Sequence, residues 1–271
     1  MIKLSIIIPA WATPNQLLVR CLQSVDRFRR DMDVDVETIV VRDKGVQSEL
    51  RNIGLARASG DWIWFVDADD EVVCESKIIN AVRHTDADII IFGYEQRWGK
   101  IGKRMRHIPS MQFDGVLGDV HMRRVARSVM FRALWNKLYR RSFLVEKSIV
   151  FDERTEPCED GIFNIRCIFA GAKWCRLDAI GYVYWRRLDS SLFRYTPTLE
   201  RAIAREDALW DELSHLMGVK AFDDCKLSAK ERMFMIQNNM LQGNAGSSVS
   251  ILMRARRLAL FVRRALRFVG I

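Results

Sequence analysis

The chain has 271 residues, 49% of them hydrophobic and 28% charged, and a formal net charge of +9 at pH 7. This size allows one large α/β domain with an appendage or two small domains, and the composition excludes a disordered chain. The short apolar N-terminus runs into Pro9, so we expect a first strand there rather than a signal peptide, and no apolar run approaches the roughly 20 residues of a membrane span.

The first ninety or so residues alternate between short apolar runs and amphipathic segments. We predict strands at 4–8, 36–41, 62–66 and 89–92. We predict helices between them at 13–28, 46–59 and 75–84, with Thr13 as the N-cap of the first and Gly60 closing the second. This order predicts a mostly parallel central sheet with helices on both faces.

Acidic residues cluster directly after the third predicted strand, in the stretch DADDE at 67–71. Ligands of parallel α/β sheets bind outside the carboxyl ends of the strands. We therefore expect this stretch to share one rim with segments 9–15 and 42–47, which follow the first two strands. A second acidic pair, Asp86 and Asp88, precedes its strand and is expected to form a turn at the opposite edge.

The spacing of these acids has two interpretations. Close aspartates after a strand suit Mg²⁺ or Mn²⁺, which take one or two protein carboxylates and leave the other positions to substrate phosphates and water. The same acids could instead cap the next helix, because acids favour helix N-termini. Asp160, at the head of another predicted helix, is likewise either a cap or a general base.

The second half of the chain is less regular. We predict an exposed basic loop or hairpin at 94–107, a largely helical stretch at 118–147, a helix headed by Glu159 and Asp160, a late strand at 179–187, and helices at about 199–217, 227–242 and 251–269.

An ordered series of motifs gives the chain a family resemblance. The series is SIIIPAW, ETIVVRDKG, RNIGLARASGDWIWFVDADD, WNKLYRRSF, EDGIFNIRCIFAGAKW and GYVYWRRLDSS. It resembles the family 2 glycosyltransferases of GT-A fold, in particular the short, non-processive bacterial members that build surface polysaccharides. The resemblance covers about residues 3–195 and implies a Rossmann-like GT-A catalytic domain at 1–195, followed by a helical C-terminal region at 196–271.

The resemblance implies a nucleotide-sugar donor site. Pro9 and Trp11 would border the base, Asp43 would face the uracil or ribose, and Arg51 would lie toward the nucleotide. The chain departs from the family pattern at Ala12 and at two basic residues beside Asp43, at positions 42 and 44. The two basic residues either favour extra negative charge on the donor or point to solvent.

The resemblance also implies the catalytic groups. Asp67 and Asp69 match the Asp-x-Asp motif, with Asp69 as the direct ligand of Mn²⁺ or Mg²⁺ and Asp67 nearer the ribose and the metal waters. Asp160 matches the catalytic base. The implied reaction is an inverting transfer of a sugar from a nucleotide-sugar donor, a UDP-sugar, to a saccharide or lipid-linked acceptor in cell-surface polysaccharide synthesis. The alternative is a non-catalytic, membrane-peripheral relative that acts as a partner of other transferases.

The excess positive charge lies at the C-terminus. No acidic residue follows Glu231, whereas seven arginines do. At 251–269 apolar residues share one helical face and arginines the other, which is typical of an interfacial helix on an anionic membrane; the alternative is an ordinary amphipathic helix packed on the body. No motif supports nucleic-acid binding. We expect a cytoplasmic protein, peripheral on the inner face of the cytoplasmic membrane if this helix lies on lipid.

Overall fold

The computed structural model describes residues 2–32, 34–73, 75–98, 104–109, 114–116, 129–153 and 158–186, and parts of a helical stretch between 201 and 215. These residues belong to one compact unit, which takes in 1–190 and 196–226. The other unit, 191–195 with 227–271, lies outside the described residues, and so do the helices predicted at 227–242 and 251–269.

The described part of the chain contains both strands and helices. The strands are β1 Lys3–Pro9, β2 Asp35–Val41, β3 Trp62–Phe65, β4 Glu71–Val72, β5 Ile89–Trp98, β6 Arg104–His107, β7 Asp114–Val116, β8 Lys137–Arg140 and β9 Lys173–Arg186. The helices are α1 Asn15–Asp31, α2 Gln47–Arg57, α3 Ser76–His84, α4 Val129–Arg132, α5 Arg141–Glu146 and α6 Glu159–Phe169.

The strands form one mixed sheet in the order β2-β1-β3-β8-β5-β9-β4, with β6 paired to β5 and β7 to β9. β1 is parallel to β2 and β3, and β5 is parallel to β9. β8 is antiparallel to both β3 and β5, so those two strands run in the same direction. The parallel arrangement predicted for the first three strands is confirmed. The sheet as a whole is mixed rather than mostly parallel, because β8, β4, β6 and β7 pair antiparallel with their neighbours.

Helices cover both faces of the sheet. Trp64 and Phe65 are adjacent in β3, both are buried, and they belong to two different core clusters. Trp64 packs edge-on against Phe28 of α1 with ring centroids 5.5 Å apart, and Phe65 packs against Phe163 of α6 at 5.7 Å. Because β3 is buried on both sides, all four of its residues are apolar and do not alternate with polar ones.

Two predicted helix ends are wrong. α1 begins at Asn15 with Pro14 at the N-cap, and no side chain caps it, so Thr13 does not have the predicted role. α2 ends at Arg57, before Gly60. Gly60 instead donates its N–H to Ser5 Oγ at 2.8 Å, and a Cβ at this position would lie 2.7 Å from the Ser5 nitrogen. Close approach to β1 therefore accounts for this glycine.

Within 118–147 the described residues are helical at 129–132 and 141–146 but not between these segments. This stretch contains β8 between the short helices α4 and α5, because Leu138 and Tyr139 are buried in the middle of the sheet between β3 and β5. By contrast, the hairpin predicted at 94–107 is confirmed as β5 and β6. Asp88, just before β5, accepts the N–H of Lys173 at the start of β9 at 2.9 Å. No helix in the described ranges is long and apolar enough to cross a membrane.

Candidate active site

The carboxyl ends of β1, β2 and β3 lie side by side. Beyond the strands, the Ala10 N–H donates to the Val41 carbonyl at 2.8 Å, and the Val66 N–H donates to the Ile7 carbonyl at 3.0 Å. The segments that follow these three strands therefore start from one rim, as expected from the sequence.

Arg51 of α2 joins this rim to the head of α6. Its Nη1 donates to Asp160 Oδ1 at 2.7 Å and to Glu159 Oε1 at 2.9 Å. Its Nη2 donates to Asp67 Oδ1 at 3.2 Å. One guanidinium thus holds carboxylates from the end of β3 and from the first turn of α6.

The guanidinium lies behind the carboxylates. The Arg51 side chain is only 5% exposed, whereas Asp160 keeps 27% and Asp67 32% of their side-chain surface. Burial raises the pKa of Asp160 well above its ordinary value, although Arg51 opposes the shift and Glu159 adds to it. Burial also raises the pKa of Asp67, again against Arg51. A carboxylate with a raised pKa and an open side is suited to accept a proton.

The loop after β3 is held by β9. The Tyr182 hydroxyl accepts the Asp67 N–H at 3.1 Å and donates to Asp70 Oδ2 at 2.9 Å. Asp70 Oδ1 accepts the Trp185 N–H at 2.7 Å, and the Asp70 side chain is buried. Burial, together with the charges of Asp69 and Asp67, raises the pKa of Asp70 well above its ordinary value. Asp70 therefore anchors the loop, while Asp67 and Asp69 remain partly exposed at the rim.

The carboxylate oxygens of this loop suit a hard divalent cation that takes few protein ligands. No group of three or more His, Cys, Asp or Glu residues that could hold a metal ion occurs in the described ranges. Asp67 and Asp69 are two carboxylates on one strand-end loop, and Mg²⁺ is commonly bound by one or two carboxylates plus substrate phosphates and water. These two residues could hold such an ion, provided that the substrate supplies further oxygens.

Arg51, Asp67, Glu159 and Asp160 form what we call the Arg51 cluster. The other predicted donor-site residues lie at the same strand ends but outside this cluster. Pro9 ends β1, and Trp11 is 45% exposed. The Asp43 side chain is exposed, with Oδ2 3.9 Å from Arg57 Nη2. Arg42 and Lys44 are also exposed.

The sequence does not reveal the roles of two residues of the site. In the sequence, Glu159 is the neighbour of Asp160 at a helix start, and Tyr182 is one residue of an apolar strand. Each acts through a partner far away in the chain: Glu159 binds Arg51, and Tyr182 binds Asp67 and Asp70. A buried hydroxyl in an apolar strand is the one local signal for Tyr182, because such a group needs a hydrogen-bond partner.

Residues 38–146 match the family model described as glycosyl transferase family 2. This part of the chain is therefore similar to the family 2 glycosyltransferases. The matched segment includes Arg51, Asp67 and Asp69 and ends before Asp160.

Named relatives are similar to part of the chain. The putative glycosyltransferase EpsH of Bacillus subtilis is 28% identical over 155 residues, which is 55% of this chain and 44% of EpsH. The poly(ribitol-phosphate) beta-N-acetylglucosaminyltransferase TarS of Staphylococcus aureus is 23% identical over 166 residues, 60% of this chain and 27% of TarS. The chain thus spans less than half the length of these two relatives.

The fold of the chain is also similar to that of a solved structure. The crystal structure of S. aureus TarS 1–349 in complex with UDP-GlcNAc superposes with a TM-score of 0.53 and 16% identity, covering 89% of this chain and 81% of that one. The architecture is therefore the GT-A fold, as the resemblance implied.

Proposed function

We propose that this chain is an inverting, metal-dependent glycosyltransferase of cell-surface polysaccharide synthesis. It would move a sugar from a nucleotide-sugar donor, a UDP-sugar, to a saccharide or lipid-linked acceptor. The observation that carries the proposal is the Arg51 cluster. In it, one guanidinium binds both Asp67, which is expected on the donor side, and Asp160, which is expected to be the general base. Relatives named as glycosyltransferases and a structural relative solved with UDP-GlcNAc support the choice of donor.

The chemistry assigned to the residues is a single displacement. Asp160 takes the proton of an acceptor hydroxyl as its oxygen bonds to the anomeric carbon, and the bond from that carbon to the diphosphate breaks on the opposite face. The anomeric configuration is inverted by this one step. Arg51 holds Asp160 from behind and leaves its exposed side toward the acceptor.

The leaving diphosphate carries negative charge that must be neutralised. A divalent cation, Mn²⁺ or Mg²⁺, held by Asp69 together with Asp67 would supply that neutralisation. Pro9, Trp11 and Asp43 would contact the base and ribose from the same rim.

Residues 1–195 are proposed as the catalytic domain and 196–271 as a helical region that ends in the basic helix. The proposed location is cytoplasmic, with that helix on the inner face of the membrane.

A thermal-shift panel tests the donor site. UDP, GDP, CMP and several UDP-sugars are each added with and without Mn²⁺ to the wild type, to Asp69→Asn and to the control Asp86→Asn, which changes an exposed aspartate at the opposite edge of the sheet. A ligand at a hundred times its Kd adds about 2.7 kcal/mol, so a uridine nucleotide should raise Tm by several degrees only with Mn²⁺. Asp69→Asn should lose this shift and Asp86→Asn should keep it. No shift with any nucleotide would contradict the proposal and favour the non-catalytic alternative.

Replacement of the base tests the reaction. Asp160→Asn should lower turnover by roughly 10²–10⁴-fold, because that is the usual contribution of general-base catalysis. Donor binding in the thermal-shift panel should be largely unchanged. Near-normal transfer by Asp160→Asn would remove Asp160 from this role.

A further inference from the structure

Asn164 links the proposed base to the end of a neighbouring helix. It lies one turn after Asp160 in α6 and is fully buried. Its Nδ2 lies 3.0 Å from the Phe131 carbonyl, 3.1 Å from that of Arg132 and 3.0 Å from that of Asp160. Carbonyls at a helix C-terminus lack partners within their own helix, and an amide nitrogen has only two hydrogens to share among them. The Asn164 amide therefore holds the end of α4 against the first turn of α6.

Tyr139 sets the orientation of that amide. Its hydroxyl donates to Asn164 Oδ1 at 2.8 Å, which leaves the NH₂ group facing the carbonyls. Tyr139 is fully buried in β8, between β3 and β5, and its ring packs edge-on against Phe65 and Phe163. A chain of hydrogen bonds therefore runs from the middle of the sheet to the backbone of Asp160.

Glu206 packs beside the end of α4 and the start of α6. It lies outside the segment matched by the family model. Its side chain is 1% exposed, and its Oε1 lies 2.6 Å from Arg132 Nη2. A Cβ on Gly161 would lie 3.3 Å from the same oxygen, so the glycine after Asp160 leaves room for this carboxylate. Glu206 thus pairs with α4 and lies close to the first turn of α6.

We propose that Tyr139, Asn164 and Glu206 are positioning residues for Asp160. The inference rests on the proposed role of Asp160 as the base. All three side chains are buried, so they act through the backbone of α4 and α6 rather than on substrate. A base must lie within hydrogen-bond reach of the proton it takes, and a misplacement of about 1 Å can cost roughly a hundredfold in rate.

Two conservative variants test the inference, each with a matched control. Tyr139→Phe removes one buried hydroxyl, and its control is Tyr94→Phe, in the other core cluster. Glu206→Gln removes one buried charge paired to an arginine. Its control is Glu95→Gln, because Glu95 is buried and lies 2.5 Å from Arg97 on the β5–β6 hairpin. Transfer or hydrolysis of UDP-GlcNAc and UDP-glucose is measured as kcat, donor KM and the pH profile of kcat, with Tm recorded for every protein.

Tyr139→Phe and Glu206→Gln should each lower kcat by about tenfold and move the acidic limb of the pH profile, with little change in donor KM. The controls should leave kcat and the pH profile as in the wild type. If the two variants lower Tm but keep the wild-type kcat and pH profile, they are structural residues only and the inference is wrong. A wild type that neither binds nor turns over any nucleotide sugar is a different result: it rejects the proposed function, and the positioning role is rejected with it.

Discussion

Glu37 shows how one side chain secures a backbone junction. It lies on β2 and accepts the N–H groups of Ser59 at 2.6 Å and Gly60 at 3.0 Å, just before β3. Ser5 Oγ and Ser59 Oγ also donate to it. Burial opposes ionisation, but these hydrogen bonds outweigh it and lower the pKa of Glu37 to about 2. The ionised carboxylate therefore joins β2 to β1 and to the entry of β3.

Glu37→Gln should lower the free energy of unfolding by about 2 kcal/mol near neutral pH, because hydrogen bonds to a charged group are worth roughly that much. The folded pKa lies below the unfolded one, so this stabilisation is fully present above the unfolded pKa and is lost as pH falls toward 2. Urea unfolding of both proteins across this range measures the difference. An equal deficit at all pH values would show that the charge is not responsible.

Ala12 carries backbone strain in the segment beside Trp11. Its φ is 57°, in the left-handed region, where a side chain costs roughly 1–2 kcal/mol and glycine has no such penalty. Ala12→Gly should therefore raise the free energy of unfolding by up to about 1 kcal/mol after the loss of chain entropy. Ala10→Gly, at a buried neighbour outside the left-handed region, should lower it. Urea unfolding distinguishes the two, and a destabilised Ala12→Gly would contradict the expectation.

At the scale of elements, β9 holds the loop after β3, which carries Asp67, Asp69 and Asp70. This strand pairs with β5 along its length and with β4 near its end, and Tyr182 reaches from it to the loop after β3. Tyr182→Phe should lower the free energy of unfolding by about 1–3 kcal/mol, because the buried Asp70 carboxylate loses a donor. It should also weaken the Mn²⁺-dependent nucleotide shift. Tyr94→Phe, on β5, is the control; a nucleotide shift that Tyr182→Phe leaves intact would show that the loop does not depend on β9.

Hydrophobic periodicity in the sequence predicts the elements that pack on segments nearby in the chain. The alternating strands and helices of the first ninety or so residues and the hairpin of β5 and β6 follow from periodicity. β8 was missed because Lys137–Arg140 becomes a strand only through pairing with β3 and β5, which are distant in sequence. The site follows the same rule. Motif matching identifies Arg51, Asp67 and Asp160, but nothing local shows that one guanidinium binds both aspartates. Nor does it show that Tyr139, Asn164 and Glu206 pack behind the helix start that carries Asp160.

At the scale of the molecule, charge is concentrated beyond the described residues. Seven arginines and no acids follow residue 231. If 251–269 forms an interfacial helix, each basic residue near an anionic surface contributes about 1 kcal/mol, and salt weakens the attraction. The full chain should therefore float with vesicles of anionic phospholipid but not with phosphatidylcholine vesicles. A chain ending at residue 244 should not float with either, and equal flotation of both chains would reject the membrane role of the tail.

The Arg51 cluster also sets the order in which its ion pairs can form while the chain is being translated. Asp67 lies 16 residues after Arg51, but Asp160 lies 109 residues after it. While the nascent chain is still short of α6, the arginine has one of its carboxylate partners and lacks the two from the helix. The cluster can be completed only after the segment that carries Glu159 and Asp160 has left the ribosome. Fragments that end before this segment would leave Arg51 without most of its compensating charge and would be poor candidates for independent folding.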